Sequence, residues 1–411
     1  MNLKTYCLVT GAYWSLTLTD GALRMIVLLH FHELGYGPLE LSFLFLVYEL
    51  MGVITNLFGG WAGAKSGLDR TLKAGLGIQV FALMAISFVD AGWGKAFSVL
   101  FVMACQGLSG IAKDLTKMSS KSAVKFVVPN GVDDRQQSKL FKWVAILTGS
   151  KNALKGAGFF IGGALLSWLS YRIALITMAS LVAVSLILVI LFLEDNIGKS
   201  EKLERDRLLA SRYPAVNRLS FARFFLFGAR DIWFVVALPV FLNEDLGWSY
   251  EGIGGFLAAW VIGYGMVQSG APAMMRLMQA SDTVGASAKR WAAVLCAFTG
   301  VISILVANNI ARNTVVVAGL LVFGFLFAMN SSLHSFLVLA YIDDDDDVAV
   351  NVGLYYAANA AGRFVGTLLS GLAYLWGGLT LALLFSTGFL MINWVLSLSF
   401  PLTVPNRTEM R

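Results

Sequence analysis

Residues 28–45 read LLHFHELGYGPLELSFLF, and LPVFLNEDLGWSYEGIGGFL follows at 238–257. Leu34-Gly35-Tyr36 and Leu246-Gly247-Trp248 stand in register at an offset of 212. Each stretch has the same plan: an apolar run, a polar break marked by glycine, then a second apolar run. A fainter echo joins KNALKGAG near residue 152 to ANAAGRFVG near residue 359, at an offset of 207. Two echoes at nearly equal offsets in a chain of 411 residues predict two homologous halves.

The runs around those breaks are long enough to cross a bilayer. The chain is 57% hydrophobic and 14% charged, where soluble domains carry about 25% charged residues. Twelve apolar helices are predicted near 5–31, 40–63, 73–90, 96–118, 141–168, 172–193, 219–242, 251–275, 290–307, 314–341, 348–375 and 378–401. The expected fold class is therefore an all-α membrane protein of twelve transmembrane helices in two pseudo-symmetric six-helix halves. The longest polar stretch, EDNIGKSEKLERDRLLASRYPAVNR at 194–218, divides the chain into a bundle at 1–193, a linker, and a second bundle at 219–411. The first apolar stretch runs to about residue 31, which is not the pattern of a cleavable signal.

Lysine and arginine fix an expected orientation. The N-terminus, the loops after even-numbered helices and the C-terminus hold 20 of the 31, and the loops after odd-numbered helices hold 3. The linker and both termini are thus expected in the cytoplasm, in the inner membrane of a bacterium. The acidic loop IDDDDD, 342–347, reads as a solvated loop before a helix N-terminus. Cys7, Cys105 and Cys296 are scattered and suggest neither a disulfide framework nor a zinc site. The net charge of +6 follows from the basic loops and needs no nucleic-acid partner.

Eight bases remain inside the spans: Arg24, Lys113, Lys117, Lys151, Lys155, Arg223, Arg230 and Arg363. Only four acids accompany them, Asp20, Glu49, Asp114 and Asp231. Charges at this depth pair, or face a watery interior and meet substrate. The excess of bases predicts a cavity that attracts anions. Asp20 and Arg24 lie one turn apart in TLTDGALRM, so an internal pair is one expectation. Arg230 and Asp231 are adjacent and point in different directions, so they are not expected simply to satisfy each other along one face, and at least one is expected to engage another helix or the substrate. Lys151 and Lys155 fall about 12 and 18 Å in from Trp143, too deep to reach the interface easily. Pairing of Lys151 and Lys155 with Asp114 or Asp20 is the structural alternative to a substrate role.

The stretch KDLTKMSSKSAVK, 113–125, places lysines at 113, 117, 121 and 125. Sixteen uncharged residues precede it, only about 24 Å of helix, so Lys113 belongs inside and Lys117 near the boundary. Lys121 and Lys125 are expected in water. His30 and His32 mark an outer helix end, and His334 with Asn330 and Ser331 reads as polar lining. No phosphate-binding loop for ATP appears, no nucleophile–base or metal constellation stands out, and neither catalysis nor a cofactor is expected.

Two homologous six-helix halves around a polar linker resemble the major facilitator superfamily, whose substrates bind between the halves at mid-depth. GGWAGAKSGLDR, 59–70, resembles that superfamily's signature loop, with Ala64 where aspartate is usual. More specifically, TDGALRMIVLLHFHELGY, GLSGIAKDLTKMSSKSAVK, LTGSKNALKGAGFFIGG, ARFFLFGARDIWFVVALPVF and NAAGRFVGTLLSG resemble the organoarsenical efflux transporter family (ArsJ). That resemblance implies export of 1-arseno-3-phosphoglycerate, and so arsenate resistance. The ester is made when glyceraldehyde-3-phosphate dehydrogenase, the implied functional partner, uses arsenate in place of phosphate.

A substrate with two tetrahedral oxyanions suits two basic clusters. Lys113, Lys117, Lys151 and Lys155 are expected at one end, and Arg24, Arg230 and Arg363 at the other. Asp20, Glu49, Asp114 and Asp231 are candidates for charge pairing or proton coupling. The scattered cysteines fit pentavalent rather than trivalent arsenic, which would call for converging thiolates. The alternatives are a transporter of another organic anion, such as a phosphate ester or sugar phosphate, and a non-transporting membrane sensor. The absence of a soluble output domain disfavours the sensor.

Overall fold

A computed structural model describes residues 3–66, 68–90, 92–127, 134–193, 210–278, 284–341 and 348–401. Most of the linker, the acidic loop 342–347, the C-terminal residues and the side chains of Lys121 and Lys125 lie outside the described part. Every regular element among the described residues is an α-helix. In order these are α1 (Leu3–Glu33), α2 (Pro38–Ser66), α3 (Leu68–Ile86), α4 (Lys95–Val127), α5 (Asp134–Trp168), α6 (Tyr171–Phe192), α7 (Pro214–Phe234) and α8 (Ala237–Glu244). They continue as α9 (Tyr250–Met278), α10 (Val284–Ala307), α11 (Arg312–Ala340) and α12 (Val348–Ser397).

The twelve predicted spans map onto these helices with two local adjustments. The seventh span is broken into α7 and α8. Pro239 cannot donate a backbone bond and its ring crowds the carbonyl four residues earlier, so the helix opens at Val235–Val236. The Oγ of buried Ser370 takes the freed amides of Val236 and Ala237 at 3.2 and 3.1 Å. The eleventh and twelfth spans are the two arms of α12, which meet at Gly377 and Gly378. Gly378 sits at φ +62, a conformation that favours glycine.

Seven helical stretches among the described residues are long and apolar enough to cross a membrane. Two of them, α7–α8 and α12, cover three predicted spans. α1, α3, α5 and α9 fall outside that set, and of these α1 carries Asp20 and Arg24 and α5 carries Lys151 and Lys155.

The described residues among 1–36, 43–204 and 248–262 pack into one compact unit, and those among 37–42, 205–247 and 263–411 into a second. The first half of α9 therefore belongs to the first unit, and the opening turn of α2 to the second. In the first unit α1 packs on α5, and α3 on α4 and α6; in the second α7 packs on α12, and α10 on α11 and α12. The repeat that opened the sequence is visible in the backbone. Gly35 (φ +78) and Gly247 (φ +65) both take the left-handed conformation that ends a helix and turns the chain.

Candidate functional site

In the first unit the mid-helix charges are assembled by close backbone approach. A Cβ on Gly158 would lie 2.3 Å from the carbonyl oxygen of Leu18, and one on Gly21 would lie 2.5 Å from that of Lys155. α1 and α5 therefore touch backbone to backbone, as small residues allow in membrane helices. That contact places Asp20 beside Lys155, with Nζ 3.1 Å from Oδ2. The other carboxylate oxygen accepts the Tyr48 hydroxyl, from α2.

The α2 face continues the cluster. Phe45, Tyr48, Glu49 and Asn56 recur at helical spacing and all point to the same charges. Arg24 reaches Glu49 at 2.6 Å, with its guanidinium carbon 5.2 and 5.3 Å from the Phe45 and Tyr48 ring centres. Gly110 lets α4 lie against the backbone of Tyr48. This brings Lys113 Nζ to 4.1 Å from the centre of that ring. Asp114, on α4, holds Lys117 at 3.1 Å and Lys113 at 3.6 Å, and Lys117 also donates to Asn56 at 3.0 Å. Lys151 acts electrostatically on the same carboxylate.

The second unit holds a smaller cluster built by the same device. A Cβ on Gly362 would lie 2.1 Å from the carbonyl oxygen of Phe224, and one on Gly366 would lie 2.6 Å from that of Gly228. α7 and the first arm of α12 meet along this seam. Asp231, wholly buried, accepts from Arg230 on one oxygen at 2.6 Å and from Arg363 on the other at 3.0 Å. Arg230 also stacks on Phe227, with 4.9 Å from its guanidinium carbon to the ring centre.

Two expectations change on this geometry. Arg230 and Asp231 do bond to one another, because a long arginine can curl onto an adjacent carboxylate even though their Cα–Cβ vectors diverge. Arg24, grouped by sequence with Arg230 and Arg363, is built into the lysine cluster through Glu49 and Tyr48. The structural alternative for Lys155 is realised, since Asp20 is its partner. Sequence reasoning passed over Tyr48, an uncharged residue in an apolar helix. Its position next to Glu49 was the available signal.

Burial separates acids from bases. The side chains of Asp20, Glu49, Asp114 and Asp231 are at most 4% exposed, while Lys113, Lys117, Lys155, Arg230 and Arg363 keep 14–19% open. Asp20, Asp114 and Asp231 therefore sit behind the bases they hold, whereas Arg24 is buried with Glu49. Among the described residues no group of three histidine, cysteine or carboxylate side chains could hold a metal ion.

Charges held at mid-helix in helices of membrane-spanning length mark substrate or ion pathways in transport proteins. The sequence profile of the Major Facilitator Superfamily matches residues 9–346, and the chain belongs to that superfamily of transporters. Its fold is that of a POT family transporter solved in complex with a thioalcohol-conjugated peptide, at a TM-score of 0.74 and 13% identity over 96% of this chain and 95% of that one. A bacterial homologue of the iron transporter ferroportin, in an inward-facing state, aligns at a TM-score of 0.67 and 15% identity over 96% and 98% of the two chains. No curated protein matches the sequence.

Proposed function

We propose that the protein exports an organic oxyanion, 1-arseno-3-phosphoglycerate, from the cytoplasm across the inner membrane, and so confers arsenate resistance. The observation that carries this reading is the gathering, in each unit, of cations in front of more deeply buried carboxylates. Arg24, Lys113, Lys117, Lys151 and Lys155 stand against Asp20, Glu49 and Asp114 in the first, and Arg230 and Arg363 against Asp231 in the second. Cations gathered at this depth favour the arrival of an anion that they can share. Lysines offer point charge and arginines offer planar forks, and both suit tetrahedral oxyanions.

The organoarsenical assignment rests on the five sequence blocks, which contain all seven of these bases. On this reading the halves 1–193 and 219–411 flank a cytoplasmic linker, and glyceraldehyde-3-phosphate dehydrogenase supplies the substrate. The acids hold the bases in place when no substrate is bound.

Cells making the dehydrogenase provide the test. Lys155→Ala is expected to abolish arsenate resistance while the protein still reaches the membrane in normal amount; full resistance in that variant removes Lys155 from the site. Everted vesicles then separate substrates. Uptake of the arsenate ester formed in situ supports the reading, whereas equal uptake of ordinary phosphate esters assigns a broader organic-anion transporter.

A further inference from the structure

Arg223 is the one intramembrane base that the clusters above do not use. It lies on α7 seven residues before Arg230, two turns away on the same face, or about 10.5 Å along the axis. The residue is buried, and among the described residues no carboxylate lies within ion-pair distance. Its guanidinium carbon is 4.0 Å from the centre of the Phe227 ring and 4.9 Å from that of Tyr355. Phe227 thus carries Arg223 as well as Arg230.

Among the described residues, Arg223 hydrogen-bonds to a single neutral residue. One terminal nitrogen donates to the carbonyl oxygen and to the Oγ of Ser331, both at 3.1 Å. The same Oγ lies 3.3 Å from the Gln268 amide nitrogen and 3.2 Å from the Tyr264 hydroxyl. A hydroxyl has two acceptor lone pairs. Arg223 and Gln268 can only donate to it and fill both lone pairs, its own proton can go to the Tyr264 hydroxyl, and no negative charge answers the guanidinium. An oxygen of an anion could take all three donors and supply the missing negative charge. The surroundings carry a second orphan: both ring nitrogens of fully buried His334 lack a hydrogen-bond partner, and Arg223 is close enough to act on that ring electrostatically. The Nε of Arg223 is unpartnered as well.

We propose that Arg223, Tyr264 and Gln268 form an oxyanion subsite, with the Ser331 hydroxyl as a neutral placeholder for one oxygen of a phosphate or carboxylate group. It deepens the anion-transport reading and rests on it. Arg223 is nearer than Arg230 to the end of α7 that follows the linker. On that reading an outgoing anion meets it before Arg230.

The experiment uses full-length protein in nanodiscs, with 3-phosphoglycerate as the probe and two readouts: melting without ligand, and the rise in melting temperature with ligand, which reports affinity. Arg223→Met removes an uncompensated buried charge, so the unliganded protein is expected to melt at or above the wild-type temperature. Affinity for 3-phosphoglycerate should fall about 10- to 100-fold, the worth of a charge-assisted bond. Arg363→Met, which strips a partner from Asp231, should instead melt lower. If Arg223→Met melts as low as Arg363→Met and binds like wild type, Arg223 is structural and the subsite is wrong.

Should Arg223→Met not fold, Arg223→Lys keeps the charge but loses the fork. Unchanged affinity there also overturns the subsite, and about a 10-fold loss at an unchanged melting temperature upholds it. Wild-type protein that binds no 3-phosphoglycerate overturns the anion reading and the subsite together. Binding lost in Arg363→Met but kept in Arg223→Met overturns the subsite alone.

Discussion

The α1–α5 crossing of the first unit and the α7–α12 crossing of the second solve one problem in two ways. In both, a carboxylate on the first helix meets a base on the second beside a glycine seam that brings the backbones together. Lys155 is followed three residues later by Gly158, and Arg363 by Gly366. Seven residues after each base the seam diverges. Gly162 presses on the backbone of Ala22, whereas Ser370 caps the amides released by the break before α8. The charges diverge too. Asp20 is shared between a lysine and a neutral tyrosine, Asp231 between two arginines. The backbone contact is the common feature, and the polar partners vary around it. The first pair can part by rotating one flexible ammonium; the second is fixed by two planar forks.

If the seam is the shared element, breaking it should be the most damaging change in either unit. Gly158→Val and Gly362→Val each drive a branched side chain into a neighbouring helix backbone. Each is expected to cost at least about 3 kcal/mol and to abolish recovery of monodisperse protein. Gly263→Ala, where a Cβ meets nothing within 4 Å, is the control and should be recovered normally. Fluorescence-detected size exclusion after a heat step measures this; survival of both seam variants would show that the helices have room the geometry denies.

Next in size is the asymmetry between the carboxylates. Asp231→Asn leaves Arg230 and Arg363 crowded together without their shared anion, and should cost about 3 kcal/mol. Asp20→Asn strands one lysine and keeps an oxygen for Tyr48, for a cost of about 1–2 kcal/mol. Melting temperatures in nanodiscs should therefore fall further for Asp231→Asn. Equal losses would mean that Tyr48 does nothing for Asp20. The double variant Asp231→Asn with Arg363→Gln should recover part of the loss, because it removes the repulsion.

Much of this was legible before any coordinates. Apolar run lengths gave the helices, and the Leu-Gly-aromatic echo located two turns that share a left-handed glycine. The intramembrane bases and acids were visible as residues that lipid should exclude. Partners were not legible, because they depend on which helices cross and at what height. Asp20 and Arg24 are one turn apart in sequence, yet Arg24 reaches α2 and Asp20 reaches α5. Neutral groups such as Tyr48 and Ser331 were harder still, since nothing in an apolar helix distinguishes a hydroxyl that holds a charge from one that bonds its own backbone. The break at Val235–Val236 was missed for a related reason: Pro239 marks it, but the hydroxyl that makes it tolerable comes from Ser370, 131 residues further on.

The smallest predicted effect isolates the neutral partner. Tyr48 serves Asp20 with its hydroxyl, and Arg24 and Lys113 with its ring. Tyr48→Phe removes only the first of these, and should cost about 1 kcal/mol because Lys155 can close on the freed carboxylate oxygen. Tyr48→Leu also removes the ring, and should cost about 1 kcal/mol more as two cations lose their aromatic face. A two-step loss across wild type, Phe and Leu, read as melting temperature, assigns the tyrosine both functions. If Phe and Leu melt together, the ring holds no charge and α2 contributes only through Glu49 and the hydroxyl. If Phe melts like wild type, the Tyr48 hydroxyl is idle, Lys155 alone holds Asp20, and the contrast between a loosely and a firmly held carboxylate becomes sharper.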